Sequence, residues 1–318
     1  MGEKLKLASY WAAACGGCDV AILDIHEKIL DVAALADIVF WPIATDFKYK
    51  DVENYPDGYI DVCLFHGAIR NSENEHVARL LRQKAKVMVA FGSCAVAGGI
   101  PGLANFKKRD DILNRVYLES QSTQNPEKVF PQTETSVAEG VLELPAFYKD
   151  VKTLADVVDV DYFMPGCPPV PDQIWAVIGA IVSGNLPPKG SVVGASNKTK
   201  CDECPRIRTD KKVKKFYRTF EIIPDPNRCL LEQGIVCMGP VTRAGCGNRC
   251  TNANQPCTGC YGPPDGVVDQ GAKFISALAS IVDADTPEEI DKIISEIADP
   301  AGTFYRYGLP GSLLRRAK

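Results

Sequence analysis

Short apolar runs recur through the first half of the chain, each followed by small residues and then by apolar positions at helical spacing. LKLASYW predicts a strand that gives way to ACGGC and then to a helix with Ile22, Ile25, Ile29 and Ala33 on one face. YIDVCLFHGAI predicts a second, buried strand, and the following helix is opened by Ser72 and Glu75 as a capping box. KVMVAFGSC and VVDVDYFMPGC predict two more strands, each ending in small residues and a cysteine. Pro168 and Pro169 stop the last of these, and Asp172 to Val182 is expected as an apolar helix closed by Gly184. Apolar strands alternating with helices define an α/β class with a parallel sheet covered on both faces.

The pattern weakens between residues 105 and 150, where one helix is expected around Asp111 to Glu119 and the rest is polar and broken by proline. That stretch reads as an elaboration of the first domain. It fails again after the Gly/Pro/Ser-rich passage SGNLPPKGSVVGASNKTK, which puts a boundary near residue 185 and divides the chain into 1–184 and 185–318. Periodicity returns only near the end. GAKFISALASIV is amphipathic, and Thr286, Pro287 and Glu289 open a helix with Ile290, Ile293, Ile294 and Ile297 on one stripe. The aromatic and basic tail GTFYRYGLPGSLLRRAK is expected to pack on a neighbouring subunit.

Charge and composition narrow the function. A net charge of -4 and a pI of 5.6 argue against a general nucleic-acid binder. No apolar run reaches the roughly 20 residues of a membrane helix, and MGEKLKLASYW has neither an export h-region nor a twin-arginine pair. The expected location is the cytoplasm. In a reducing compartment the 13 cysteines point to metal rather than to disulfides.

Their positions sharpen this. Three of the predicted strands deliver thiols at the same edge of the sheet: Cys15 and Cys18 after the first, Cys94 after the third and Cys167 after the fourth. Ligands of open parallel sheets sit beyond that edge. The glycines beside these cysteines let backbone approach a bulky inorganic group. A buried apolar cysteine is the ordinary reading of any one of them, but not of four in matching places. Cys63 lies inside its strand and reads as a core residue.

The other eight cysteines fall between Cys201 and Cys260. Cys201-x2-Cys204 and Cys257-x2-Cys260 could make one four-cysteine zinc site. That leaves Cys229, Cys237, Cys246 and Cys250 for a second zinc at loose spacings, whereas two 4Fe-4S clusters use all eight and accept uneven spacing.

ACGGC after the first strand, GSCAVAGGIPG, MPGCPP, and then CDEC, CLLEQGIVCMGP, CGNRC and PCTGC together resemble the small subunit of a nickel–iron hydrogenase. Within that family the chain is most similar to the gamma subunit of the cytoplasmic methanogen type, which reduces methyl viologen and works with heterodisulfide reductase. The resemblance implies a flavodoxin-like domain followed by a small, irregular iron–sulfur domain with C-terminal helices. It also implies three 4Fe-4S clusters: proximal on Cys15, Cys18, Cys94 and Cys167; medial on Cys246, Cys250, Cys257 and Cys260; distal on Cys201, Cys204, Cys229 and Cys237. The expected partners are a nickel–iron large subunit, an iron–sulfur acceptor subunit and heterodisulfide reductase. Compared with the respiratory pattern, Cys201 stands where a histidine begins the distal set, and Cys250 where proline often leaves a three-iron medial cluster. Gly17 and Gly99 occupy places where oxygen-tolerant relatives add cysteines. His66 stands where the family often has a carboxylate.

No catalytic residue is expected in this chain. PCTGC looks like a nickel-binding pair, but no second pair in an RxCGxC context accompanies it, and His26, His66 and His76 follow neither. The reading is an electron wire serving a catalytic site on another subunit. The alternatives are the equivalent subunit of a deazaflavin- or sulfur-reducing hydrogenase, a quinone-linked proton-pump subunit, and a zinc-stabilised interaction protein. KKVKKFYR reads as a solvated basic face, with docking of an acidic partner as the other possibility.

Overall fold

The computed structural model describes residues 4–316; Met1 to Glu3, part of the stretch read for export signals, and the last two residues of the tail lie outside it. Nine strands are seen among the described residues: β1 Leu5–Trp11, β2 Ala36–Phe40, β3 Ile60–His66, β4 Ile69–Asn71, β5 Ala85–Phe91, β6 Glu134–Val137, β7 Gly140–Glu143, β8 Phe147–Lys152 and β9 Tyr162–Met164. Five form one sheet in the order β2-β1-β3-β5-β9, and every pairing in it is parallel. This is the expected doubly covered α/β sheet, with β2 as an additional edge strand.

Alternation along β3 shows how both faces are filled. Cys63 and Phe65 turn towards a core with Val77, Ala78 and Leu81 of the helix Ser72–Lys84. Val62 and Leu64 turn to the opposite core, with Ile22, Ile25 and Val32 on one side and Ile174 and Val177 of the helix Pro171–Val182 on the other. Residues two apart share a face and neighbours oppose, so a strand buried on both sides reads as one unbroken apolar run. Each fully buried Ile or Phe contributes on the order of 2 kcal/mol.

Several local expectations change. The single helix expected from Ile22 to Ala33 is two helices, Gly17–Leu23 and Ile29–Leu35, with a 3-10 turn at His26–Lys28 between them. The interruption shifts the register, so Val32 is buried and Ala33 exposed. The helix after β3 is capped one residue earlier than expected: the Asn71 side chain accepts from the backbone of Asn74. Ser72 Oγ instead accepts from the N–H of Ala146. Thr286 and Glu289 do form a capping box, but only Ile293 and Ile297 of the four-isoleucine stripe are buried.

Residues 105–150 contain the helix Arg109–Tyr117 and a two-stranded antiparallel ribbon of β6 and β7. Strand β8 then returns to pair with β4 just beyond the end of β3.

The tail does not wait for a neighbouring subunit. Phe304, Tyr305 and Leu309 are buried in the second core, and Pro310 fills the space above Gly98 and Gly102. A Cβ at either glycine would collide with the Pro310 ring, which is why those positions are bare. Among the described residues no helix is long and apolar enough to cross a membrane.

Candidate iron–sulfur sites

β1, β5 and β9 are parallel members of one sheet, so their carboxyl ends share an edge. Cys15 and Cys18 follow β1, Cys94 lies in the helix Gly92–Ala97 directly after β5, and Cys167 follows β9. The four are close enough for Cys94, Cys167 and Cys15 all to act electrostatically on Cys18. Burial pushes the Cys94 thiol up to about 12 and raises Cys18 and Cys167 as well. Left as free thiols, such groups stay protonated at neutral pH; a metal removes the proton. Cys15 and Cys167 are exposed at the rim, while Cys18 and Cys94 are buried.

The backbone around them is shaped for sulfur. Gly92 has φ +83°, and a Cβ there would lie 2.5 Å from Cys18 Sγ; Gly99 has φ +55°, and its Cβ would lie 2.5 Å from Cys94 Sγ. Side chains at either position would occupy the thiols' own space. The N–H of Gly17 donates to Cys15 Sγ at 3.4 Å, the kind of bond that favours a thiolate.

Behind Cys18, Asp19 and His66 form a buried pair, with Asp19 Oδ1 2.9 Å from His66 Nε2 and also accepting from Trp41 Nε1 at 2.7 Å. Asp19 Oδ2 and His66 Nδ1 have no hydrogen-bond partner.

A second group of thiols rings a cavity of about 500 Å³ lined by Cys201, Cys204, Cys229 and Cys237. Its walls are loop and single-turn structure: Lys200–Glu203 is one turn, capped by Thr199 and Asp202. Burial pushes Cys201 up to about 12, with Cys237, Cys229 and Cys204 adding to the rise and Arg208 opposing it. The N–H groups of Gly239 and Cys257 donate to Cys237 and act the other way.

The third group lies between these two. Cys260 is raised by burial and by Cys257 and Cys246, and it accepts a backbone hydrogen bond from Cys167. Cys257 shares a hollow with Cys250 at the start of the turn Arg249–Asn252. The one cysteine outside these groups, Cys63, is fully buried mid-strand with its thiol pushed up to about 12 by burial. Thiols set around a cavity suit a polynuclear group, which is bulkier than a lone ion.

Two residues of these sites escaped the sequence reading. Lys200 and Arg206 are buried beside the second group. Long charged side chains are expected at the surface, and their only signal was adjacency to Cys201 and Cys204.

Parallel sheet, thiols at its carboxyl rim and a chain of further thiols behind them define a redox carrier of the α/β class rather than a hydrolase or a transferase. Residues 15–181 match the family model of the NADH ubiquinone oxidoreductase 20 kDa subunit. Over 98% of both chains the sequence is 44% identical to the iron-sulfur subunit of the F420-non-reducing hydrogenase of Archaeoglobus profundus. It is 38% identical to a subunit of the F420-non-reducing hydrogenase of Methanothermobacter marburgensis, over 99% of this chain and 97% of that one. A chain of an NAD+-reducing [NiFe]-hydrogenase in the H2-reduced state superposes with TM-score 0.50 at 30% identity, covering 58% of this chain and 94% of that one. A chain of the Dm. baculatum [NiFeSe]-hydrogenase gives TM-score 0.53 at 20% identity over 83% and 97%, a likeness of fold. The chain belongs to this family, as an electron-transfer small subunit of the nickel–iron hydrogenase kind. The family model ends at residue 181, so the eight cysteines from Cys201 onward lie beyond what is shared with the 20 kDa subunits.

Proposed function

We propose that this chain is the electron-transfer small subunit of a cytoplasmic nickel–iron hydrogenase and carries three 4Fe-4S clusters. Cys15, Cys18, Cys94 and Cys167 would hold the proximal one, Cys246, Cys250, Cys257 and Cys260 the medial one, and Cys201, Cys204, Cys229 and Cys237 the distal one. When bound, such clusters accept and pass on single electrons. The chain's own residues do the rest. Twelve thiolates supply the ligands, glycines at 92 and 99 leave room for sulfur, and backbone N–H groups at Gly17, Gly239 and Cys257 stabilise thiolate charge.

What supports the reading is that thiols adjoin one another from the sheet rim to the cavity, with Cys15 and Cys167 exposed at the rim. That open rim is where a large subunit bearing the nickel–iron site would dock, and heterodisulfide reductase, through an iron–sulfur subunit, is the proposed destination at the other end. The relatives at 38–44% identity are named as F420-non-reducing, which favours this destination over a deazaflavin. Anaerobic purification followed by iron, sulfide and zinc analysis tests it: about twelve irons with matching sulfide per chain supports three cubanes, and two zincs without acid-labile sulfide would sink the proposal.

A further inference from the structure

Lys200 is 2% exposed and Arg206 is 7% exposed. Neither has a carboxylate partner among the described residues. Lys200 Nζ donates to Asn248 Oδ1 at 2.8 Å and to Thr251 Oγ1 at 2.9 Å. Arg206 donates to the backbone carbonyls of Asp225, Arg228 and Thr251 and to Asn254 Oδ1, and its Nε is buried with no acceptor at all. Both line the cavity ringed by Cys201, Cys204, Cys229 and Cys237. Lys200 also acts on Cys237 and on Cys257, and so reaches the third set as well. The buried carboxylate of that cavity, Glu232, accepts from the N–H groups of Thr209 and Asp210 and from the Thr209 hydroxyl, and pairs with neither cation.

Removing a cation from water without an opposite charge is strongly unfavourable, and a guanidinium cannot escape by losing its proton. Two such groups in the wall of one cavity are offset by an anion held in it. Four thiolates outweigh the positive charge of a cubane core, and reduction adds one more negative charge, so the group held there would be the missing counter-charge. A fixed positive charge favours the more negative, reduced state.

Resting on the cluster assignment above, we propose that Lys200 and Arg206 are the buried counter-charges of the distal centre and hold its reduction potential up, with Lys200 doing so for the medial centre to a smaller extent. Lys211, which is exposed at the same cavity, is screened by solvent and contributes little.

The test is a redox titration of the purified holo-complex, followed by electron paramagnetic resonance, with iron counted in each sample. Lys200→Met is expected to disfavour reduction of the distal centre on the order of tenfold, a fall of about 59 mV for a one-electron couple. It should lower the medial centre less and leave the proximal one in place. Arg206→Gln should lower the distal centre alone, and Lys211→Gln should move none. Fully loaded variants with parental potentials would overturn the proposal. If both neutral variants lose the distal centre, Lys200→Arg decides: loading at the parental potential supports a charge requirement, and loss there too assigns the residue to packing and overturns it. Parental protein without iron and sulfide would instead defeat the cluster assignment, a different failure visible before any titration.

Discussion

The backbone N–H of Cys257 donates to Cys237 Sγ across 3.3 Å, joining a cysteine of the middle set to one of the cavity set. At the other end of the middle set, the N–H of Cys167 bonds to Cys260, and Ser93 Oγ donates to the Cys260 carbonyl. The middle thiols are thus tied by single hydrogen bonds to the sheet rim and to the cavity. The same contacts hold the irregular second half against the sheet, together with Tyr261, whose hydroxyl accepts from the Val170 N–H at 3.1 Å. Sites and scaffold are one set of interactions here, so ligand substitutions should report on both.

Cys250 opens onto the hollow it shares with Cys257, and in the first turn of Arg249–Asn252 its N–H donates to no backbone carbonyl among the described residues. Proline is tolerated in such a position. Cys250→Pro is therefore expected to fold and to convert the medial centre to a three-iron form, lowering iron from about twelve to about eleven per chain. A paramagnetic spectrum identical to the parent would exclude Cys250 as a ligand.

Gly92 is bare because Cys18 Sγ stands where a Cβ would be, 2.5 Å away, and its φ of +83° adds a second penalty. A left-handed alanine costs roughly 1–2 kcal/mol on its own. Gly92→Ala should push Cys18 out of its set and remove the proximal centre, leaving about eight irons. Twelve irons in a stable Gly92→Ala protein would show that Cys18 can be moved without loss.

Much of the rim site was legible in the residues because its cysteines end apolar runs, and the carboxyl ends of parallel strands share a rim. Strand β2 was not, since Ala36–Phe40 is a short edge strand that follows the helix Ile29–Leu35 with no turn residue between them, so its apolar run merges with the helical pattern. The ribbon of β6 and β7 left no periodic trace for a simpler reason: every residue in it is exposed, so no face needed to be apolar. The tail misled because its aromatics and Pro310 find their partners near Gly98, Gly102 and Phe274, contacts far apart in the chain or visible only after folding. Lys200 and Arg206 were hidden because burial of a charge follows from what surrounds it, which the local sequence does not encode.

Cys63 is fully buried at the middle of β3 and packs in the core with Phe65, away from the carboxyl rim. Cys63→Ala should keep all of the iron and cost about 1–2 kcal/mol from the small cavity. Cys63→Ser places a hydroxyl in the same apolar site and should cost more. Loss of iron in the alanine variant, measured beside its thermal midpoint, would give Cys63 a role at a cluster.

Glu75 is held down to about 2 chiefly by its hydrogen bond with Arg79, with Lys152 of β8 as a further partner. A carboxylate whose folded pKa is depressed stabilises the fold wherever it is ionised in both states, here above its ordinary value near 4.5. That contribution fades as pH falls from about 4.5 and is gone below about 2. Arg79 is largely exposed, so the pair is worth on the order of 1 kcal/mol. Glu75→Gln should therefore lower the thermal midpoint at pH 7, and the gap to the parent should narrow as the pH is taken from about 5 towards the acid limit of the folded protein. Because Lys152 lies in the strand that returns from residues 105–150, the same variant should loosen that segment first, seen as faster amide exchange in β8 than in β3. A gap that widens on acidification, or exchange unchanged in β8, would mean that the ion pair does not tie that segment to the sheet domain.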